Sequence, residues 1–147
     1  MKLLVIGGTR FLGRAIVNEA LAAGQEVTLF NRGQSNPELF SGAVEVLHGD
    51  RDGGLAVLNG RTWDAVIDTC GYIPRLVRVS AEKLKDAVQQ YVFISSISVY
   101  PSEALREPGL TEETAVDTMP DETVEEVTGE TYGPLKALCE QAAEAAL

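Results

Sequence analysis

The chain has 147 residues, 45% hydrophobic and 23% charged, enough for one soluble domain with a core of its own. No apolar run approaches the roughly 20 residues that cross a bilayer, so no membrane association is expected. The net charge of −10, with no basic stripe, argues against nucleic acid as a partner.

In chain order, Leu3–Ile6 is a short apolar run that reads as a buried parallel strand. A helix follows, with Leu12, Ala15, Ile16, Leu21 and Ala23 as its apolar stripe and Gly24 as its stop. Residues 26–30 form a second strand, which runs into Asn31-Arg32-Gly33. Residues 34–43 contain Pro37 and Gly42 and predict a loop with a turn of helix. Val44–Leu47 is a third strand, Asp52-Gly53-Gly54 a turn, and a short helix is predicted up to Leu58. Trp63–Thr69 reads as a fourth strand. The spacing of Val77, Ala81, Leu84 and Val88 predicts a helix over 74–88, followed by a fifth strand over 91–94.

Residues 101–131 form a long acidic loop. Ten acids, Glu107 among them, and the single base Arg106 lie in 103–130, so nine of the ten net negative charges sit there. Its paired acids read as a solvated face or as a segment folded over a site. Tyr132–Leu147 is strongly helix-forming. Pro134 requires that this helix start at about Tyr132 or Gly133, because proline suits a first turn. The helix has no stop signal, so the pattern predicts a truncated protein. The chain starts directly on a strand, so no leader peptide is expected. Cys70 and Cys139 have no metal-ligand spacing; no metal is expected, and a reducing cytoplasm is the default setting. Strands alternating with helices predict an α/β fold, a parallel sheet covered on both faces.

The chemistry starts at Gly7-Gly8-Thr9-Arg10-Phe11-Leu12-Gly13, between the first strand and the first helix. Gly7 permits the tight turn, and Gly13 lets the helix lie close to the strand. The helix start offers unpaired N–H groups and a positive dipole end to a pyrophosphate. The end of the second strand identifies the cofactor type. An NAD-preferring site wants an acid there for the ribose 2′-hydroxyl, and this chain has Asn31-Arg32. Arg32, with Arg10 on the facing loop, suits a 2′-phosphate instead.

Four stretches together resemble the short-chain dehydrogenase/reductase superfamily in its extended, epimerase/dehydratase-like form. They are GGTRFLG (7–13), Gly49-Asp50-Arg51, the strand-end run Phe93–Tyr100, and Tyr132-Gly133-Pro134-Leu135-Lys136, a YxxxK motif. Arg10 stands where extended members usually carry glycine. That departure resembles an atypical branch, which includes reductase-like, epimerase-like and chloroplast RNA-associated proteins. The resemblance implies a Rossmann-like doubly wound sheet and a missing C-terminal half that would bind substrate. It places Asp50 at the adenine amino group with the Arg51 backbone beside the ring; the alternative for Asp50 is a local Asx turn. It places Cys70-Gly71 under the ribose and nicotinamide, where Cys70 is either a redox-sensitive or an inert buried thiol.

The resemblance also implies a catalytic Ser96, Tyr132 and Lys136. Lys136 lies at i+4 from Tyr132, on the same helix face, and its ammonium favours the tyrosinate. Strand alternation groups Ser96 with Ser98 and apart from Ser95; the family pattern favours Ser96, with Ser98 in reserve. The expected function is an NADP-dependent (or NAD-dependent) epimerase, dehydratase or reductase acting at a hydroxyl or carbonyl carbon of a small molecule, with a nucleotide sugar as the substrate class the resemblance implies. The chain alone is expected to be inactive. The alternatives are a cofactor-sensing regulator and an RNA-associated protein. Ala137, Ala142 and Ala145 offer a small-residue face for a homodimer through the last helix.

Overall fold

The computed structural model describes residues 1–106 and 108–147; Glu107 of the acidic loop lies outside the described residues. Five strands, β1 (Lys2–Ile6), β2 (Glu26–Asn31), β3 (Glu45–His48), β4 (Trp63–Asp68) and β5 (Val88–Phe93), form one all-parallel sheet in the order β3-β2-β1-β4-β5. Three helices accompany it: α1 (Phe11–Ala22), α2 (Pro74–Leu84) and α3 (Tyr132–Ala146).

The central strand explains the layering. β1 is hydrogen-bonded on both sides, with Leu3 opposite Val27 of β2 and Ala65 of β4. Successive side chains point to opposite faces. Leu3 and Val5 meet Val17 and Ala20 of α1, while Leu4 and Ile6 meet Leu84 of α2, Leu58 and Trp63. A strand buried on both faces has to be apolar throughout, which is why Leu3–Ile6 reads as a continuous run. Beyond the second layer, α3 packs on α2 through Val77, Cys139 and Ala143, with Phe93 against the cluster.

Several boundaries differ from the sequence pattern. α2 stops at Leu84, not Val88, and Val88 starts β5 instead. The Ala87 carbonyl accepts from Trp63 N–H and Val88 pairs with Trp63, so ladder formation with β4 outcompetes another helical turn. The inner line of α1 is Gly13, Val17 and Ala20; Leu12 and Ala15 of the expected stripe face solvent. Small residues win that line because the helix lies close to the sheet. Residues 34–43 form turns without helix, and the short helix ending at Leu58 is a 3₁₀ turn, Leu55–Leu58. β5 ends at Phe93, so Ser95, Ser96 and Ser98 are not on a strand and the alternation argument does not apply to them. Ala137 and Ala142 are buried within the chain and only Ala145 is exposed, so the three alanines do not form an open face.

Leu84 is fully buried between α2 and the sheet. Leu84→Ala is expected to lower stability by about 2–5 kcal/mol, read from urea unfolding. A loss below about 1 kcal/mol would contradict this packing.

Candidate functional site

The strand order reverses at β1, so the loops after β1 and β4 open a crevice at the carboxyl edge of the sheet. In the first loop Gly7 and Gly8 have φ of 99° and 89°, conformations that favour glycine. A Cβ on Gly7 would sit 2.6 Å from Thr69 Oγ1, and one on Gly8 2.7 Å from Leu29 Cδ2. Gly13 approaches Gly8 so closely that its Cβ would lie 3.0 Å from the Gly8 backbone. α1 then starts without a side-chain cap and without an acid in its first turn. The first helical N–H to bond back is that of Arg14, to the Arg10 carbonyl. The N–H groups of Phe11, Leu12 and Gly13 therefore form an uncompensated positive end, which suits a pyrophosphate. Phe11, 94% exposed, holds φ at 38°, so backbone strain also marks this helix entrance.

Beside this loop, Asn31 braces the end of β2. Its Nδ2 donates to the Gly7 carbonyl at 3.4 Å, and its Oδ1 accepts from Gly33 N–H at 2.8 Å. Asn36 donates to the Thr9 carbonyl at 2.9 Å. Arg10 and Arg32 are exposed on this side, and neither has an acidic partner among the described residues. At the end of β3, exposed Asp50 accepts from Asp52 N–H at 2.9 Å, the Asx-turn alternative. That bond uses one carboxylate oxygen and leaves the other open.

Arg51 turns inward, which sequence reasoning missed. Its guanidinium pairs with Asp68 at the end of β4 and donates from Nε to Ser80 Oγ on α2 at 2.9 Å. Asp68 is fully buried and also accepts from the Tyr91 hydroxyl at 2.8 Å and from Cys70 N–H at 3.2 Å. Burial, the largest single cause, works against the Arg51 charge; Asp68 first, with Cys70 and Tyr91, together outweigh it and leave the guanidinium above its ordinary value. An acid closing an apolar strand is the available signal, since a buried carboxylate needs partners. The sequence does not say that they come from β5, the turn after β3 and the loop after β4.

The β4 loop then carries Cys70 and Gly71. Burial, the largest cause, and the Asp68 charge push the Cys70 thiol up to about 11. Gly71 is buried where a Cβ would meet Phe93 at 2.5 Å and Val77 at 2.7 Å. Its carbonyl accepts from Lys136 Nζ at 2.8 Å, and the Ile94 carbonyl accepts from the same ammonium at 2.7 Å. Lys136 is 3% exposed and lies over the Phe93 ring, 4.0 Å from its centroid. Burial pushes the ammonium below the ordinary lysine range, with Asp68 and Glu140 among the charges pulling the other way. Two of its three N–H donors are occupied.

Tyr132, half-buried, starts α3, as Pro134 requires. Its N–H donates to the Thr128 carbonyl, and its ring stands 6.4 Å from that of Tyr72. Gly133 is where the serine segment touches the helix, since a Cβ there would lie 2.1 Å from the Ser98 carbonyl oxygen. Ser96 caps the 3₁₀ turn Ile97–Val99 by accepting from Ser98 N–H at 3.1 Å, and its own O–H remains a donor. An open groove of about 460 Å³ runs beside it, lined by Ser95, Ser96, Tyr100, Thr111 and Glu140 among others. The acidic loop is strapped across this edge. Arg75 binds Asp52 through both Nη atoms at 3.0 Å and Glu125 through Nε at 2.7 Å. It holds both carboxyls below their usual range. Thr131 Oγ1 donates to the Glu126 carbonyl at 2.6 Å, fixing the last loop residues to the helix entrance.

No family model matches the chain. A curated relative, the chloroplast stem-loop binding protein of 41 kDa b from Arabidopsis thaliana, is 33% identical over 114 residues, covering 67% of this chain and 30% of that protein. Among solved structures, the Bordetella bronchiseptica enzyme WbmG in complex with NAD matches with a TM-score of 0.77 at 15% identity over 99% of this chain and 49% of its own. The UDP-Glc/GlcNAc 4-epimerase from Campylobacter jejuni matches with a TM-score of 0.75 at 16% identity over 99% of this chain and 48% of its own. The chain thus spans about half the length of these structures and under a third of the curated relative. It has the Rossmann-like fold of their matching half.

Burial also pushes the Cys139 thiol up, to about 12. At pH 8 both thiols are expected to react with iodoacetamide at least about a hundredfold more slowly than a free cysteine of pKa about 8.5, Cys139 the slower of the two, and to react fully once the chain is unfolded. Mass spectrometry of the intact chain checks this; free-thiol rates at Cys70 would restore the redox-sensitive reading.

Proposed function

We infer that the chain is the cofactor-binding half of an extended short-chain dehydrogenase/reductase of the epimerase/dehydratase type, and that it takes NADP(H). The observation that carries the reading is convergence. The glycine cradle after β1, the Gly71 backbone after β4, and Tyr132 and Lys136 at the start of α3 all face one crevice edge.

The residues fit a nicotinamide dinucleotide. Side chains larger than glycine are excluded where the loop would meet the pyrophosphate, and the N–H groups of 11–13 have no acceptor of their own. Gly7, Thr9 and Gly13 would shape that cradle, with the backbones of Phe11 and Leu12 as donors. Asp50, through its free carboxylate oxygen, and the Arg51 backbone would address the adenine. Asn31 holds the loop instead of supplying the acid that an NAD ribose wants, and the unpaired Arg10 and Arg32 suit a 2′-phosphate. A bound cofactor would supply hydride exchange at the substrate carbon.

Tyr132 would move the proton to or from the substrate oxygen. Lys136 has one N–H left for a ribose hydroxyl, and its ammonium lies 5.7 Å from the centroid of the Tyr72 ring that stands beside Tyr132. The free Ser96 O–H would hold the substrate oxygen at the mouth of the groove. Cys70 and Gly71 bring backbone, not thiol chemistry, to the site. The solved neighbours that act on nucleotide sugars support that substrate class.

A cofactor-sensing regulator would not need both Tyr132 and Lys136 in place, which favours the enzyme. The name of the curated relative raises RNA binding. The charge of −10 opposes it.

The test is titration of the chain with NADPH and NADH by nicotinamide fluorescence at fixed salt. NADPH is expected to bind more tightly. Arg32→Ala is expected to weaken NADPH by about tenfold, the worth of a charge-assisted hydrogen bond, and to leave NADH within about twofold. Equal or tighter NADH binding would remove the NADP assignment, and binding of neither would remove the cofactor reading.

A further inference from the structure

The buried polar cluster beneath the site contains more than a fold needs. A buried ion pair is weak evidence for stability, because apolar residues of similar volume usually serve as well. This one uses both carboxylate oxygens of Asp68, and it spends one of them on backbone. Oδ2 takes Arg51 and the Tyr91 hydroxyl, while Oδ1 takes the N–H of Cys70. The carbonyl of the following residue, Gly71, receives the Lys136 ammonium.

We propose that Arg51 and Asp68 are positioning residues for Lys136: the pair holds the Cys70–Gly71 turn, and the turn sets where the ammonium sits. The proposal rests on the reading of Lys136 as a cofactor-site lysine.

Two independent contacts run along this line. The first is the hydrogen-bonded chain from guanidinium to carboxylate to Cys70 N–H, and through one residue to the Gly71 carbonyl. The second is steric. A Cβ on Gly71 would lie 3.2 Å from Arg51 Nη1 and 2.5 Å from Phe93. The guanidinium therefore packs against the Gly71 backbone, and the ring on its other flank is the one Lys136 covers. Nη1 has no hydrogen-bond partner among the described residues, so its place there is one of contact. Ser80 fixes the far end of Arg51 by accepting from Nε and donating to the Leu76 carbonyl at 2.7 Å. The turn is held from below by a rigid fork, and the lysine is held from above by the turn.

Lysine NMR tests this in the 147-residue chain without cofactor. There are four lysines, Lys2, Lys83, Lys85 and Lys136. An ammonium over a ring face puts its ε-methylene in the shielding region, so the Lys136 signal is expected upfield of the other three; Lys136→Met assigns it. In Asp68→Asn the signal is expected to move more than half of the way toward the others. In Tyr91→Phe, which keeps both charges, it is expected to move in the same direction by less. NADH affinity is expected to fall about tenfold in Asp68→Asn. An upfield signal that stays put in the folded variants, whatever happens to Tm, makes the cluster purely structural and overturns the proposal, as does a wild-type signal that is not shifted. If Asp68→Asn does not fold, Tyr91→Phe decides by the same criterion. Failure of the wild-type chain to bind either NADPH or NADH would count against the cofactor reading alone, because the methylene shift is read without ligand.

Discussion

The buried ammonium of Lys136 is the constraint on which the site depends. A lysine charge taken out of water has to be met by acceptors, and here they are the carbonyls of Gly71 and Ile94. Those carbonyls follow β4 and β5, so one side chain of α3 ties the helix to the ends of two neighbouring strands. Apolar packing alone, through Val77, Cys139 and Ala143, would allow α3 to slide along α2. The directional contacts at Lys136 select one position. Tyr132, a turn earlier on the same helix, is placed by that selection.

Close backbone approaches make the arrangement possible. Gly71 must lack a side chain for Phe93, Val77 and Arg51 to reach it, and Gly133 must lack one for the Ser98 carbonyl to touch α3. Each glycine sits where two elements carrying site residues meet. The same logic shapes the first loop, where Gly7, Gly8 and Gly13 bring α1 down onto the strand ends. The site is therefore mostly preorganised backbone, and its few charged side chains divide into two kinds. Arg51, Asp68 and Lys136 are buried and paired. Arg10 and Arg32 stand exposed at the outer rim, where an incoming anion can reach them.

The acidic loop takes part in this order despite its charge. Arg75 at the start of α2 grips Asp52 on one side and Glu125 on the other, bridging the turn that follows Asp50 to the loop that delivers Tyr132. Exposed ion pairs of this type contribute little each. Their role is geometric, aided by the Thr128–Thr131 hydroxyl pair at the helix entrance. A fold of this kind supports many chemistries, so the functional reading depends on these side chains and not on the sheet.

By itself the sequence determined the strand–glycine–helix opening, the parallel sheet, the position of Tyr132 at a helix start, and the pairing of Tyr132 with Lys136 on one face. Those features are local: they follow from apolar periodicity, from what proline and glycine permit, and from a four-residue helical repeat. It misplaced the end of α2 and the start of β5, because at Val88 a ladder with Trp63 outweighs helical spacing. It put the serines on a strand because a run of β-formers does not announce where pairing ends. Only the tertiary structure decided that Arg51 turns inward to Asp68, that Ser80 and Tyr91 join them, and that Lys136 is met by two carbonyls. Those partners lie 17 to 65 residues apart in the chain. A buried charge demands a partner, but which one it finds is set by which strand ends the sheet order brings together.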